Sequence, residues 1–148
     1  MNIKIPPPLI VVFLTTLVYL SPNFIVGFDL PFRIQLSLLL LFIGLSVIFI
    51  PVFQFIKSKT TINPQSFKNV NNLVSSGIFK ISRNPMYLGM LIIIISSVVY
   101  YFNYFSVFTP FIFYFWINEF QIKREEKKLE EKFGPDYKKY RLKTRRWI

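Results

Sequence analysis

Uncharged apolar runs alternate with polar, basic segments along this chain, and the lengths of the runs predict membrane helices. Ile34–Ile56 carries no charge and exceeds the ~20 residues that a helix needs to cross a bilayer. Pro51 lies inside this run, and membrane helices tolerate such a proline. The segment is therefore predicted to be a spanning helix.

The first apolar stretch is less regular. It covers Leu9–Leu20, is interrupted around Pro22 and resumes at Phe24–Phe28. Because Leu9–Leu20 alone is too short to span, the helix is predicted to continue, kinked, through Pro22. A secretory signal is the alternative, since Lys4 precedes a short apolar core. No small-x-small cleavage site follows Leu20, which favours a retained helix.

The third apolar region is long enough for two helices. It covers Pro85–Ile122, with breaks near Tyr104–Ser106 and at Pro110. This length fits two antiparallel spans joined by a tight turn. The sequence thus predicts an all-α integral membrane protein with about four transmembrane helices. Residues 1–57 would supply the first two, and residues 58–148 a loop, a helical hairpin and a C-terminal tail.

The basic residues predict the orientation of these spans. Of the 18 Lys and Arg residues, all except Arg33 lie before the first span, in the loop after the second span, or in the tail. The positive-inside rule makes that side cytoplasmic, with both termini inside. Gly134–Pro135 should end the tail helix, and Asp136–Ile148, with six basic residues, suits an amphipathic segment at anionic lipid. The Ile-, Lys-, Asn- and Phe-rich composition is typical of proteins from AT-rich prokaryotic genomes. The membrane is therefore predicted to be a prokaryotic plasma membrane.

Composition narrows the possible chemistry. The net charge is +11, but basic residues beside apolar segments point to topology and anionic lipid, so no nucleic-acid partner is expected. The chain has no Cys and no His, which excludes disulfides, thiolate nucleophiles, imidazole bases and His-containing metal sites. No metal site is predicted, and chemistry is left to carboxylates, Arg, Lys, Tyr, amides or a cofactor.

A first polar cluster surrounds Arg83 at the predicted membrane surface. Asn84 is a favoured N-cap and Pro85 a favoured first helical residue, so the third span should begin here. Free N–H groups at such a helix start, beside Arg83, attract a carboxylate or phosphate. Gly89, one turn later, would let another helix or a ligand approach closely. A capped helix with a snorkelling arginine is the plain alternative.

Glu125 and Glu126 form a second cluster. Two adjacent carboxylates near the bilayer suit a cationic ligand, although alone they are more simply explained by pairing with neighbouring lysines on a solvated helix. The predicted hairpin, however, brings Arg83 and Asn84 to the same membrane face as the two glutamates. A ligand with a carboxylate, a positive centre and an aromatic base, such as S-adenosylmethionine, would complement these groups.

The same residues form a pair of motifs. The motifs are Ser82-Arg83-Asn84-Pro85-Met86-Tyr87-Leu88-Gly89 and Glu125-Glu126-x-x-Leu129-x-x-x-Phe133-Gly134-x-x-Tyr137-x-x-Tyr140. With Asn63-Pro64, the stretch Leu73–Phe79 and the closing Arg146-Trp147-Ile148, they resemble the signature of the isoprenylcysteine carboxyl methyltransferase and phospholipid methyltransferase superfamily. The resemblance covers roughly residues 60–148.

The resemblance implies an S-adenosylmethionine-dependent membrane methyltransferase whose cofactor pocket lies on the cytoplasmic side, between the hairpin and the tail. The cofactor-binding residues carried over from the motifs are Arg83, Asn84, Pro85, Tyr87, Gly89, Glu125 and Glu126. The family often has His where this chain has Asn84, which puts in doubt any mechanism that requires imidazole.

The acceptor would be an amphipathic, lipid-like molecule or a small thiol, carboxylate or amine. An anionic thiol or carboxylate needs no protein base, because methyl transfer depends mainly on alignment and removal of water. An ammonium acceptor would need a base, and Tyr87, Glu125 and Glu126 are the candidate catalytic residues.

Two alternatives stay open on the sequence. Sterol reductases of related membrane architecture would place NADPH at this site, although only the diffuse tail offers a basic cluster for its 2′-phosphate. A non-catalytic membrane protein would instead bind lipid or a partner through the basic tail, with Lys138, Lys139, Arg145 and Arg146 as the residues that matter.

Overall fold

The computed structural model describes residues 5–23, 27, 29–58 and 72–148, and these residues form helices and turns without a β-strand. The all-α prediction is confirmed. The α-helices are α1 (Pro7–Leu20), α2 (Arg33–Lys57), α3 (Pro85–Tyr100), α4 (Phe108–Ile117) and α5 (Lys123–Lys143). Short 3₁₀ turns occupy Ser21–Asn23 and Gly77–Lys80, and a π-helical turn, Asn118–Ile122, joins α4 to α5. The family-like Asn63-Pro64 and the basic residues Lys4, Lys59 and Lys68 lie outside the described residues.

The helix α2 matches its predicted span within one residue at each end. Among the described residues it is the one helix that is long and apolar enough to cross a bilayer. Most of its apolar side chains are exposed, as at Phe42 and Phe53, and only Ser37, Gly44 and Pro51 are buried along its length. This surface suits contact with lipid tails.

The first helix differs from the expectation of a kinked continuation through Pro22. α1 ends at Leu20, and a 3₁₀ turn follows. The Ser21 hydroxyl donates to the Val18 carbonyl at 2.6 Å, and Pro22 has no N–H to continue the helical ladder. Residues 24–26 and 28, where the apolar stretch resumes, are not among the described residues.

The predicted hairpin is formed by α3 and α4, joined by residues 101–107. Asn103 and Ser106 hold this turn together. The Asn103 side chain accepts a hydrogen bond from the Ser106 N–H at 2.9 Å, and donates one to the Ser21 hydroxyl at 2.7 Å. The turn is therefore fastened to the end of α1, at the far end of α3 from Arg83.

The helix α3 occupies the centre of the bundle, with α1, α2 and α4 packed around it. Gly44 of α2 and Gly89 of α3 face each other at the crossing of these helices. A Cβ on Gly89 would lie 2.6 Å from the Gly44 carbonyl oxygen and 2.6 Å from Cγ1 of Ile48. The two backbones can approach this closely because both residues lack a side chain.

The tail helix α5 is kinked where the sequence predicts its end. Gly134 has φ 47° and ψ −117°, outside the helical region, and Pro135 follows it. Helical geometry then resumes and lasts to Lys143. The first helical segment of α5 thus ends at Gly134, as predicted, and the second segment runs back toward the start of α3.

Candidate functional site

The start of α3 is built differently from a simple capped helix. Pro85 is the first helical residue, as predicted, but the Asn84 side chain makes no capping hydrogen bond. Its Nδ2 instead donates to the backbone carbonyl of Arg146 at 3.0 Å, while the Asn84 N–H donates to the Ser82 hydroxyl at 3.1 Å. The expected cap at Asn84 is therefore replaced by a tertiary contact with the C-terminus.

Arg83 lies at the centre of the site, with its side chain only 8% exposed. Its Nη2 donates to Oε1 of Glu126 at 2.7 Å. Its Nη1 donates to the backbone carbonyls of Arg141 and Thr144 at 3.1 and 3.2 Å. The Nε atom is buried and has no hydrogen-bond partner among the described residues. Since buried donors are normally satisfied, this atom leaves one directional contact for a ligand acceptor.

Glu126 is held between two guanidinium groups. Besides Arg83, it pairs with Arg146, whose Nε lies 3.1 Å from Oε1 and whose Nη2 lies 2.6 Å from Oε2. The hydrogen bond with Glu126 raises the pKa of Arg146 above its usual value. Glu126 is only 7% exposed, and a carboxylate at this depth is stable in ionised form only when paired in this way.

Glu125 has neutral partners instead. The Tyr87 hydroxyl donates to its Oε1 at 2.7 Å, and the Gln121 amide donates to the same oxygen. Burial raises the pKa of Glu125 to about 7, although the hydrogen bonds from Tyr87 and Gln121 and the charge of Lys128 oppose this rise. Two carboxylates adjacent in sequence thus have different partners, since Glu126 contacts two guanidinium groups and Glu125 a hydroxyl and an amide.

The C-terminal strap, defined as Thr144–Trp147, closes over the start of α3. The Arg83 N–H donates to the Arg145 carbonyl at 3.1 Å. The Trp147 indole N–H donates to Oδ1 of Asn118 at 3.3 Å, and its ring lies 5.1 Å from that of Tyr114. These contacts fasten the strap to the hairpin on both sides of Arg146.

A cleft of about 830 Å³ adjoins the strap. It lies between the segment that leads into α3 and the second half of α5, and Thr144 lines it. Its volume falls in the range of small-molecule sites. The other lining residues are Asn72, Leu73, Ser75, Lys80, Phe133, Asp136, Lys139, Tyr140 and Lys143.

The structure brings most of the predicted site residues together. Arg83, Tyr87, Glu125 and Glu126 contact one another in pairs, and Asn84 joins them through the strap. Pro85 is buried and begins α3. Gly89 is the exception, because it faces Gly44 of α2. The closely approaching partner at Gly89 is therefore a helix, one of the two partners that the sequence predicts for it.

Sequence reasoning missed several residues of the site. The sequence predicts a lipid-facing tail around Arg146, whereas the structure pairs this residue with Glu126. Tyr137, which the sequence places at the membrane interface, is 1% exposed. The sequence predicts no individual role for Ser82 or Gln121. The likeness of the closing Arg146-Trp147 to the family signature was the one signal that pointed to the strap.

Comparison with known proteins gives two findings. The family model described as phospholipid methyltransferase matches residues 32–136, a range that contains the first motif, the hairpin, and the second motif from Glu125 to Gly134. An uncharacterized protein of Haemophilus influenzae is 43% identical to this chain over 63 residues, which are 43% of this chain and the whole of that protein.

Proposed function

Because this chain belongs to the phospholipid methyltransferase family, we propose that it is a membrane methyltransferase that uses S-adenosylmethionine. The observation that carries the proposal is the convergence of the two motifs at one end of the hairpin. Arg83 lies 2.7 Å from Glu126, and Tyr87 lies 2.7 Å from Glu125. Both pairs fall inside the residues that the family model matches.

The residues present fit this methyl donor chemically. Its carboxylate suits the buried Nε of Arg83, which has no hydrogen-bond partner among the described residues. Its positive centre suits the two carboxylates, which lie in a largely basic protein. The neighbouring cleft, with the aromatic rings of Phe133 and Tyr140 on its walls, has room for a nucleoside.

The protein groups would act mainly by binding and alignment. When bound, S-adenosylmethionine supplies a methyl group on a positively charged sulfur, which leaves as a thioether when an acceptor atom attacks in line. Arg83 and Glu126 orient the donor, and the apolar core beside Tyr87 excludes water from the reacting atoms. No protein base is needed for a thiolate or carboxylate acceptor.

An ammonium acceptor would need to lose a proton, and Glu125 is the base that we propose for it. Burial raises the pKa of Glu125 to about 7, close to the value that favours proton transfer at neutral pH. Glu126 is less suited, because both of its carboxylate oxygens already accept hydrogen bonds from two arginines. Glu125 is therefore preferred over Glu126 and Tyr87.

We propose further that the chain crosses the prokaryotic plasma membrane about four times, with both termini in the cytoplasm. The exposed apolar surface of α2 and the bias of basic residues to one side support this arrangement. The site then lies at the cytoplasmic surface, and an amphipathic acceptor would reach it from the bilayer. The helix bundle supplies the rigid frame that holds both motifs.

A role limited to lipid binding through the basic tail has less support. It requires the tail arginines to face lipid, but Arg146 pairs with Glu126 inside the site. Lys138 and Arg141 also pair with Glu130 on α5. Ion pairs thus engage Lys138, Arg141 and Arg146, which are three of the six basic residues of Asp136–Ile148.

Isothermal titration of the detergent-purified protein with S-adenosylmethionine tests the proposed function. Wild-type protein should bind. Arg83→Ala and Glu126→Ala should each weaken binding by about tenfold or more, since each removes a charge-assisted contact. Glu131→Ala, at an exposed position on the same helix, is the matched control and should bind like wild type. Absence of binding by a folded wild-type sample would overturn the proposal.

A further inference from the structure

The C-terminal strap lies beyond residues 32–136, which the family model matches, yet it contributes a side chain to the site. Arg146 reaches back to Glu126 across 20 residues and contacts both of its carboxylate oxygens. Arg83 contacts only Oε1. The orientation of the Glu126 carboxylate plane is therefore determined chiefly by Arg146, because a planar guanidinium fixes a carboxylate through two parallel contacts.

The backbone of Arg146 is fastened on both sides. Its own carbonyl accepts hydrogen bonds from Nδ2 of Asn84 at 3.0 Å and from the Ser82 hydroxyl at 3.4 Å. The preceding carbonyl accepts the Arg83 N–H, and the following residue, Trp147, is bound to Asn118. These hydrogen bonds hold the backbone on both sides of Arg146 in place, so its guanidinium has a defined position. This is expected of a residue that supports a binding group.

Burial separates the roles of the two arginines. The Arg83 side chain is 8% exposed and the Arg146 side chain 32% exposed. Arg83 is enclosed, with its Nη1 bonded to backbone carbonyls of the tail. Arg146 lies at the outer edge of the same ion-pair cluster. The two arginines hold Glu126 from different depths, so the loss of either should leave the carboxylate in a different position.

We propose that Arg146 is a positioning residue that acts through Glu126, and that the C-terminal strap is an integral part of the donor-binding site. The inference rests on the proposed function, because Glu126 is taken to bind the methyl donor. It predicts that the effect of Arg146 on donor affinity depends on the Glu126 carboxylate. A purely structural role of the ion pair in holding the tail would lower the stability of the Arg146 variants and leave the donor affinity of the folded protein unchanged.

A double-mutant cycle tests this dependence. The dissociation constant for S-adenosylmethionine is measured by isothermal titration for wild type, Arg146→Gln, Glu126→Gln and the double variant. Arg146→Gln should weaken binding by about tenfold in the wild-type background and by no more than about twofold in the Glu126→Gln background. Lys127→Gln, next to Glu126 on α5 and with an exposed side chain, is the matched control and should stay within about twofold of wild type.

Arg146→Lys keeps the charge but removes the two-nitrogen contact, so it should bind more weakly than wild type even if Arg146→Gln fails to fold. If wild type binds and both Arg146 variants bind like Lys127→Gln, the inference is wrong while the proposed function stands. Equal effects of Arg146→Gln with and without the Glu126 carboxylate would also overturn it. If folded wild type does not bind, the proposed function fails first, and the inference falls with it.

Discussion

The Tyr87 hydroxyl donates a 2.7 Å hydrogen bond to Oε1 of Glu125 and so links the first turn of α3 to the first turn of α5. Gln121 donates to the same oxygen from the π-helical turn that precedes α5. The neighbouring carboxylate, Glu126, points to two arginines instead. The two glutamates therefore have partners of different charge, although they are adjacent in sequence.

We expect Glu125→Gln to change how stability depends on pH. Burial raises the pKa of Glu125 from 4.5 to about 7. Between these values the folded protein holds a proton that the unfolded chain has lost, so this group makes stability fall as the pH rises. The glutamine variant cannot ionise. Its unfolding temperature, relative to wild type, should therefore increase between about pH 5 and about pH 8.

Thermal unfolding in detergent, followed by circular dichroism, measures this change. Glu131→Gln is the control, because Glu131 is exposed on the same helix and its difference from wild type should stay constant over this pH range. A constant difference for Glu125→Gln as well would show that Glu125 ionises at its ordinary pKa in the folded protein.

Gly89→Ala should destabilise the bundle by about 1–3 kcal/mol, the usual cost of overpacking. The added methyl group would lie 2.6 Å from the Gly44 carbonyl oxygen, so α2 and α3 would have to separate. Gly134→Ala is the comparison, because a Cβ there meets no atom within 4 Å and only the positive φ opposes it. Chemical unfolding in detergent gives both values.

Donor affinity of the Gly89→Ala variant separates the two roles considered for this glycine. At a temperature where the variant is folded, it should bind S-adenosylmethionine as wild type does, because Gly89 contacts a helix. A large loss of affinity without a loss of stability would show that Gly89 also belongs to the cofactor site.

The sequence predicted the bounds of a helix well where the apolar run or the proline that marks it lies within one continuous segment. The uncharged run that contains Pro51 gave α2 within one residue at each end, and Pro85 marked the start of α3. The break near Tyr104–Ser106 correctly separated the two helices of the hairpin. In each case the signal lies within the segment itself, as a length of apolar chain or a residue with a restricted backbone.

The contacts that complete the site have no such local signal. Arg146 and Glu126 are 20 residues apart, and the basic tail around Arg146 looks like any lipid-facing segment. Asn84 has the propensity of an N-cap, but a tertiary acceptor, the Arg146 carbonyl, engages its side chain instead. The π-helical turn before Glu125 also changes the number of residues per turn. Regular α-helical spacing therefore does not predict which side chains lie on the same face as Glu125.

Asn103→Ala should destabilise the protein by about 1–3 kcal/mol, because it leaves the buried Ser106 N–H without its acceptor. The variant also loses the contact that fastens the hairpin turn to Ser21 of the first helix. Val107→Ala, at an exposed position in the same turn, should change stability by less than about 0.5 kcal/mol.

Donor binding provides a second readout for Asn103→Ala. The turn lies at the opposite end of α3 from Arg83, so the folded variant should bind S-adenosylmethionine with wild-type affinity. A loss of affinity comparable to that of Arg83→Ala would mean that the turn and the site are coupled through α3.

The proposed topology predicts opposite accessibility for the hairpin turn and the tail. The chain has no natural Cys, so single cysteines can be introduced at exposed positions, Tyr104→Cys in the turn and Glu131→Cys on α5. In intact bacterial cells, a membrane-impermeant maleimide should label only Tyr104→Cys, because the positive-inside rule places the basic tail in the cytoplasm. After permeabilisation both variants should react. Labelling of Glu131→Cys alone in intact cells would reverse the orientation. Labelling of both variants in intact cells would contradict a bilayer between the turn and the tail. It would also contradict the entry of an acceptor from the membrane to a cytoplasmic site.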